Sequence, residues 1–206
     1  MKILTALTLG ALMCACSSTR YASATDEETV NADYGSTDLQ TFAEGMVASL
    51  ASDPDLGYFE HPSKGDDQRV KMVFGGIENK TSEHVDTGGI RDKMKSYLVG
   101  GGKIRVLADI QGQENIGDQV RFQQGSGRVA ADQARAFGKQ HGADIVVYGS
   151  LRDITKEKGR SIQSAGTKLK DKYYQFYLEA VNIETGELIW AHEEELRKRQ
   201  VTGLFG

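Results

Sequence analysis

The first regular pattern of apolar and polar residues in the chain is helical. Between positions 37 and 50 the apolar side chains recur three and four residues apart on one stripe: Leu39, Phe42, Ala43, Met46, Val47 and Leu50. Ser36 or Thr37 can cap this helix, with Gln40 completing a weak capping box, and Asp53-Pro54 ends it. The pattern predicts an amphipathic helix whose apolar stripe packs on the domain that follows.

Alternation with a period of two follows a polar loop at residues 54–68 and predicts strands. The segments with this alternation, or with a buried β-branched run, are 70–74, 103–108, 144–154, 172–183 and 188–192. Within 172–183, one face carries Tyr174, Phe176, Leu178 and Ala180, and the other carries Tyr173, Tyr177, Val181 and Ile183. Glu184–Glu187 predicts a turn before the last strand, because Gly186 can adopt positive φ.

Helical spacing returns in the segments between the strands, at residues 87–99, about 112–123 and 129–141. We expect polar loops at 78–82 and 155–169, the second of them mobile. We also expect the charges after the last strand to form a solvated tail. The predicted order is α-β-α-β-α-α-β-β-β, which indicates an α/β fold with a single mixed β-sheet and helices packed on it.

The start of the chain has the pattern of a bacterial lipoprotein signal peptide. Lys2 precedes an apolar run of about eleven residues, the length of a secretory h-region and too short to span a bilayer. We expect cleavage before Cys16, whose thiol then receives the lipid, because Ala15 is small. Cys14 fits worse, since the bulky Met13 precedes it. A plain secretory signal with two incidental cysteines, or a short N-terminal anchor, are the alternatives.

The sequence therefore predicts four regions: a signal peptide at 1–15, a flexible tether at 16–36, a globular domain at 37–200 and a tail at 201–206. The tether is rich in Ser, Thr, Ala and acidic residues without an apolar period. Fully stretched, it would reach roughly 65 Å. The two residues after Cys16 are Ser17 and Ser18, neither of them acidic. In this respect the sequence resembles Gram-negative lipoproteins that are sent to the outer membrane. We expect a lipid anchor in the outer membrane and a domain facing the periplasm.

Composition argues against several classes of function. The 206 residues carry a formal net charge of −4, which gives no reason to expect a nucleic-acid partner. Both cysteines lie in the signal region and the histidines lack metal-ligand spacing, so we expect no metal, no cofactor and no thiol nucleophile. The lysines after Gly102 and Gly138 lack the earlier glycine of a phosphate loop. We predict no catalytic residue, no small-molecule substrate and no enzyme activity.

Three stretches resemble the LpoB family, the outer-membrane lipoproteins that activate penicillin-binding proteins. They are VFGGIENKT at 73–81, AADQARAFGKQHGADIVVYGS at 130–150 and YQFYLEAVNIETGELIW at 174–190. The helix at Leu39–Leu50 matches in position. Related folds share the second and third stretches, and the fold is similar to the N-terminal domain of TolB and the periplasmic domain of the curli channel.

The resemblance implies a domain that binds the periplasmic docking domain of a bifunctional penicillin-binding protein and activates peptidoglycan synthesis. Such a regulator needs no catalytic residues, because it acts by binding the active state of the enzyme better. Exposed candidates for the contact are the loops at 79–83 and 155–169, which could equally be plain solvent-exposed turns. The short tether without proline departs from family members that reach far through the cell wall. Either the synthase extends toward the outer membrane or the partner is another protein there.

The alternative function is a structural or scaffold subunit of an outer-membrane assembly related to the curli secretion lipoprotein. A pore would need a membrane-spanning hairpin of roughly ten alternating residues per strand. The segment 155–169 is too polar and too short to supply one. A scaffold or an oligomeric ring without a pore stays open.

Overall fold

The computed structural model describes residues 22–28, 30–56, 59, 64–135, 142–160 and 166–203. The predicted signal peptide, Cys16 and the first residues of the predicted tether lie outside these described residues. The helices and strands are α1 Ser36–Ser52, β1 Lys71–Lys80, α2 Thr87–Gly101, β2 Arg105–Val106, α3 Ile110–Gly125, β3 Ile145–Lys158, β4 Lys168–Asn182 and β5 Leu188–Thr202.

The strands form one mixed sheet in the order β2-β1-β3-β4-β5. Strand β1 runs parallel to both of its neighbours, β2 and β3. Strands β3, β4 and β5 form an antiparallel meander, in which β4 pairs along its whole length with both neighbours. A single mixed sheet with helices packed on it confirms the predicted α/β fold class.

The core lies between one face of the sheet and helices α1 and α2. The predicted inner face of β4 is confirmed, since Tyr174, Phe176, Leu178 and Ala180 are all fully buried. The Phe42 ring of α1 lies 5.4 Å from the Phe176 ring, centroid to centroid. These contacts bury the apolar stripe of α1, as the spacing of its residues predicts.

The N-cap of α1 lies one residue before Ser36, the earlier of its two predicted caps, and the N-cap of α2 is the residue before the predicted helical segment 87–99. Gly35 is the N-cap of α1, and its N–H donates to Asp38 Oδ2 at 2.8 Å, so Asp38 takes the part predicted for Gln40. Asp86 caps α2 by accepting from the Gly88 N–H at 3.0 Å. The acceptor is a carboxylate at both N-termini, and a carboxylate accepts more strongly from backbone N–H groups than a hydroxyl or an amide does.

The helix predicted over 129–141 is absent from the described part of that segment. Residues 129–135 form bends and one turn, and 136–141 lie outside the described residues. The Ala134 N–H donates to the Ala130 carbonyl at 3.0 Å, as in a helix. The next N–H, that of Arg135, donates to Gln123 Oε1 of α3 at 2.9 Å instead. A side chain of α3 thus captures the donor that a second helical turn would need.

The strands at the C-terminal half are longer than predicted. Residues 155–158 pair with 169–172, so both ends of the predicted mobile loop at 155–169 are strand, with 161–165 outside the described residues. The predicted charged tail at 193–199 is part of β5 and pairs with β4. The residues at 155–158 and 193–199 are at most half-buried and mostly polar, so no apolar alternation marks these parts of the strands.

Candidate protein-docking surface

The two faces of the sheet differ, because successive side chains of a strand point to opposite sides. Helices α1 and α2 cover the face of β3–β5 that carries the core. Over the other face, α3 lies near β1, where Val73 and Gln113 line one cavity. The outward side chains of β3–β5 have no described helix packed on them. We call this surface the open face; it comprises Tyr148, Arg152, Ile154, Asp171, Tyr173, Gln175, Tyr177, Glu179, Glu193, Glu195, Arg197 and Arg199.

Tyrosines form the centre of the open face and are held by carboxylates. Tyr177 donates to Glu179 Oε2 at 2.9 Å. Tyr148 is 37% exposed and lies directly opposite Glu179 across the β3–β4 pair. Hydrogen bonds to Glu179 raise the pKa of both tyrosines, so both phenols stay protonated and act as donors. Their rings are therefore oriented before any partner arrives.

Arginines form the second half of the open face, toward the end of β5. Arg197 makes a two-point contact with Asp171, with its Nε 2.9 Å from Oδ1 and its Nη2 2.5 Å from Oδ2. Arg199 Nη2 lies 3.3 Å from the same Oδ2. The Arg197 hydrogen bond lowers the pKa of Asp171 to about 2, so this carboxylate is ionised at neutral pH. Nearby, the hydrogen bond to Glu195 raises the pKa of Tyr173 to about 12.

The predicted contact loop at 79–83 is not a free turn. The Ser82 N–H and Oγ donate to the two carboxylate oxygens of Asp153 on β3, at 2.8 and 2.6 Å. Asn79 Nδ2 donates to the Glu83 carbonyl at 2.8 Å, which closes the loop. Glu83 itself reaches the buried lysine Lys172. Glu83 thus ties this loop to an internal cluster of charges, while Asn79, Lys80 and Ser82 remain exposed.

That cluster, the lysine–carboxylate cluster, consists of Asp33, Asp38, Glu83, Asp153, Lys170, Lys172 and Lys198. Lys172 is at its centre with only 2% of its surface exposed. It contacts Glu83 directly, and its Nζ lies 3.4 Å from Asp33 Oδ1 and 3.5 Å from Asp153 Oδ2. Lys198 Nζ lies 2.9 Å from Asp38 Oδ2. The cluster joins α1, the β1–α2 loop and strands β3–β5.

The lysine–carboxylate cluster also fixes where the chain enters the domain. Asp33 Oδ1 lies 2.5 Å from Lys170 Nζ, and that hydrogen bond lowers the pKa of Asp33. Ala32, next to it, is 1% exposed. Tyr34 stacks on Phe42 with a centroid distance of 6.5 Å. Packing of the chain on the sheet thus begins at Ala32, within the segment that the sequence assigns to the tether.

The open face is suited to contact with a protein surface. Aromatic residues and arginines are enriched where proteins bind one another, and they supply most of the binding energy there. Among the described residues, no group of three or more His, Cys, Asp or Glu could hold a metal ion. No described helix is long and apolar enough to cross a membrane.

The sequence predicts which side chains of β4 point away from the core, but not that they form an uncovered surface. The alternation correctly assigns Tyr173 and Tyr177 to the face opposite the core. Nothing in the sequence says that this face lacks a covering helix. Lys172 was missed altogether; the available signal was a lysine placed in phase with the buried residues, two positions before Tyr174.

The comparisons with known proteins point to one family. The family model of the peptidoglycan-synthase activator LpoB matches residues 38–196. The fold is similar to the LpoB C-terminal domain of Escherichia coli, with 12% identity, a TM-score of 0.41, and coverage of 78% of this chain and 98% of that one. The LpoB C-terminal domain of Salmonella enterica is 12% identical, with a TM-score of 0.39 and coverage of 78% of this chain and 96% of that one. The lipoprotein GNA1162 of Neisseria meningitidis is 15% identical, with a TM-score of 0.34 and coverage of 63% of this chain and 83% of that one. No curated protein sequence matches the chain.

Proposed function

Because the chain belongs to the LpoB family of peptidoglycan-synthase activators, we propose that it binds a bifunctional penicillin-binding protein in the periplasm and activates it from the outer membrane. The observation that carries this proposal is the match of the family model over residues 38–196. Members of this family are regulatory activators rather than enzymes, and they are periplasmic lipoproteins associated with the outer membrane. The finer assignment, to one class of synthase and to a lipid on Cys16, is our inference.

The open face is the surface that we assign to the synthase. Its tyrosines are held in place by Glu179 and Glu195, so little side-chain entropy is lost when a partner covers them. The opposite side of the same strands packs on the core, so the backbone that carries the open face is rigid. A domain of the synthase that carries complementary donors and an apolar patch can cover Tyr148 and Tyr177 together. By binding the active state of the synthase better, the chain raises the population of that state.

Activation tests the function and the assigned surface together. Purified full-length protein should stimulate glycan polymerisation by its cognate bifunctional synthase and retain that synthase in a pull-down from membranes. Tyr148→Ala should weaken binding by on the order of tenfold and lower stimulation at limiting protein, as expected for a tyrosine at the centre of an interface. Surface plasmon resonance measures the affinity, and synthesis from lipid-linked precursor measures the stimulation.

Phe122→Ala on α3 is the matched control for this test. Phe122 is 43% exposed, close to the 37% of Tyr148, but it lies outside the open face. We expect this variant to bind and stimulate like the wild type. Equal losses in both variants would remove the open face from the proposal, and a wild-type protein that neither binds nor stimulates any bifunctional synthase would remove the function.

Anchoring is a separate prediction, made on Cys16. Cys16→Ser should move the protein from the membrane fraction to the soluble periplasmic fraction, because it removes the thiol that receives the lipid. Buried acyl chains contribute about 0.8 kcal/mol for each methylene, so several acyl carbons decide the partition. Cell fractionation and incorporation of labelled palmitate provide the measurement, with Cys14→Ser as the control that should stay anchored. A Cys16→Ser protein that remains with the membrane, together with a wild type that takes up no palmitate, contradicts the anchor.

The reach of this anchor bears on the partner. Gln40 of α1 donates to the Ala24 carbonyl, and Glu28 is bonded to Ser36 and Thr37. Only about eight residues therefore connect Cys16 to the first contact with the domain, and a fully extended chain of that length spans about 28 Å. The domain therefore stays close to the outer membrane. Our proposal accordingly requires that the synthase extends toward the outer membrane to meet the open face.

A further inference from the structure

Strand β5 ends the sheet, and no described strand pairs with its outer edge. Its side chains from Ala191 to Arg199 are exposed at every second position. An unpaired edge presents a row of backbone N–H and C=O groups that another strand can bind. At fifteen residues, β5 is as long as the strand it pairs with inside the molecule, β4. A partner strand could therefore pair with β5 over a long stretch.

The charges along this edge are segregated by sign. Three glutamates, 193–195, precede Leu196, and three basic residues, 197–199, follow it. We propose that β5 pairs antiparallel with β5 of a second copy of the chain, about a two-fold axis at Leu196. The two sheets then form one continuous sheet, and the contact is isologous, as in most homodimers. This inference goes beyond the activator function, which a monomer could also perform.

Antiparallel pairing about Leu196 places each glutamate of 193–195 opposite a basic residue of the second copy. On the open face, Glu193 lies opposite Arg199 and Glu195 opposite Arg197. On the face that α1 covers, Glu194 lies opposite Lys198, which keeps its contact with Asp38. Each pair occurs twice by symmetry. Opposite charges directly across an antiparallel pair are favourable, and like charges there are unfavourable.

Other registers lose this match. Side chains directly opposite one another must lie on the same face, so a two-fold axis perpendicular to the sheet passes through a residue position. Moving the axis to Glu195 places that glutamate against its own copy, and moving it to Arg197 does the same with two arginines. The charge pattern therefore selects one register. Charges of mixed order along an edge strand oppose its pairing with another strand. In β5 the glutamates and the basic residues are separated about Leu196, and this order favours pairing with a second β5.

Helix α1 leaves room for the second strand. It lies along β5, with Asp38 near Lys198, Gly45 against Glu194 and Ser49 bonded to Trp190. The positions three residues after these contacts lie on the side of α1 that faces away from the rest of the sheet. They carry small, exposed side chains: Thr41, Ala48 and Ser52. A larger side chain there would approach the space above a partner strand.

The arginines remain available in the single chain. Arg197 and Arg199 both contact Asp171, yet their side chains are 64% and 58% exposed. One carboxylate does not use all the donors of two guanidinium groups. In the dimer, the two arginines keep their contact with Asp171. Glu193 and Glu195 of the second copy accept hydrogen bonds from the guanidinium N–H groups that Asp171 does not use.

A charge exchange tests the pairing in the full-length protein in detergent. One variant, Arg197→Glu with Arg199→Glu, has an acidic edge; the other, Glu193→Arg with Glu195→Arg, has a basic edge. We expect a wild-type dimer, about tenfold or more weaker self-association in each variant, and a heterodimer when the two are mixed. Sedimentation velocity and native mass spectrometry distinguish these species. A wild type that is monomeric at every concentration, or variants that self-associate like the wild type, overturn the proposal.

Cysteine cross-linking checks the register in copies that keep the native charges. The axis at Leu196 places Ala191 opposite Val201 of the second copy. Copies with Ala191→Cys and copies with Val201→Cys, carrying different tags, should cross-link through a short bismaleimide only when mixed. Each alone should not, because its cysteines lie about 30 Å apart along the strands. Wild-type protein treated in the same way gives the background, which should be low because cleavage removes Cys14 and the lipid occupies the Cys16 thiol. Cross-linking of either variant alone, or none in the mixture, contradicts the register.

Discussion

Lys172→Met should lower the free energy of unfolding by about 3–5 kcal/mol, because it removes the cation from a buried cluster and leaves the carboxylates without it. The side chain of Lys172 is 3% exposed and that of Asp153 is 5% exposed. Methionine has a similar length and no charge, so the loss of stability measures the charge rather than a cavity. Urea unfolding followed by circular dichroism gives the value.

Lys168→Met is the matched control, since Lys168 is on the same strand and also contacts a glutamate. Its Nζ lies 3.1 Å from Glu157 Oε2, with both side chains 46% exposed. An exposed pair contributes about 0–1 kcal/mol, so this variant should be nearly as stable as the wild type. Adding Glu83→Gln to Lys172→Met should recover part of the loss, because it removes one of the uncompensated charges. Equal stability of the two lysine variants would show that the cluster is not a buried charge network.

Lys172→Met should also affect residues 32–34, where the chain begins to pack on the sheet. Lys172 and Lys170 hold Asp33, and Lys198 holds the Asp33 carbonyl at 2.6 Å. Loss of the central lysine should therefore loosen residues 32–34 before the rest of the domain unfolds. Hydrogen exchange at the N–H of Tyr34, which donates to Glu83 Oε2 at 2.9 Å, reports this step.

The sequence predicts the parts of this fold that bury apolar residues. The stripe of α1 and the alternation of β4 both correspond to the core. The predicted helical segment 87–99 corresponds to α2, which continues through Gly101 and is capped by Gly102 at φ 68°. The spacing of apolar side chains carries this information, because it repeats with the period of the element. The fold class follows from the order of those elements.

The parts that escaped prediction are held by polar contacts across the sheet. The second half of β5 has no apolar period, and only its register with β4 makes it a strand. The cluster around Lys172 joins residues as far apart in sequence as Asp33 and Lys198. Spacing along the chain cannot show such contacts, since they depend on which strands become neighbours. The same holds for the open face, whose tyrosines are visible in the sequence while the absence of a cover is not.

Gly149 is a point of close approach inside the sheet, and it carries the last prediction. A Cβ at this position would collide with the Tyr177 carbonyl oxygen and lie 2.9 Å from the Leu178 Cα. Both are backbone atoms of β4, so the strand would have to move. Gly149→Ala should therefore lower the free energy of unfolding by about 3 kcal/mol, the upper end of the range for overpacked sites.

Gly76→Ala on the neighbouring strand β1 is the control for this substitution. A Cβ there meets no atom within 4 Å. Alanine restricts the unfolded chain more than glycine does, so this variant should be stabilised by about 0.4–1 kcal/mol. The buried Trp190, the single tryptophan of the chain, reports unfolding by its fluorescence. If both alanine variants unfold at the same urea concentration, the approach of β4 to Gly149 does not constrain the sheet, and the antiparallel meander that carries the open face is looser than these contacts imply.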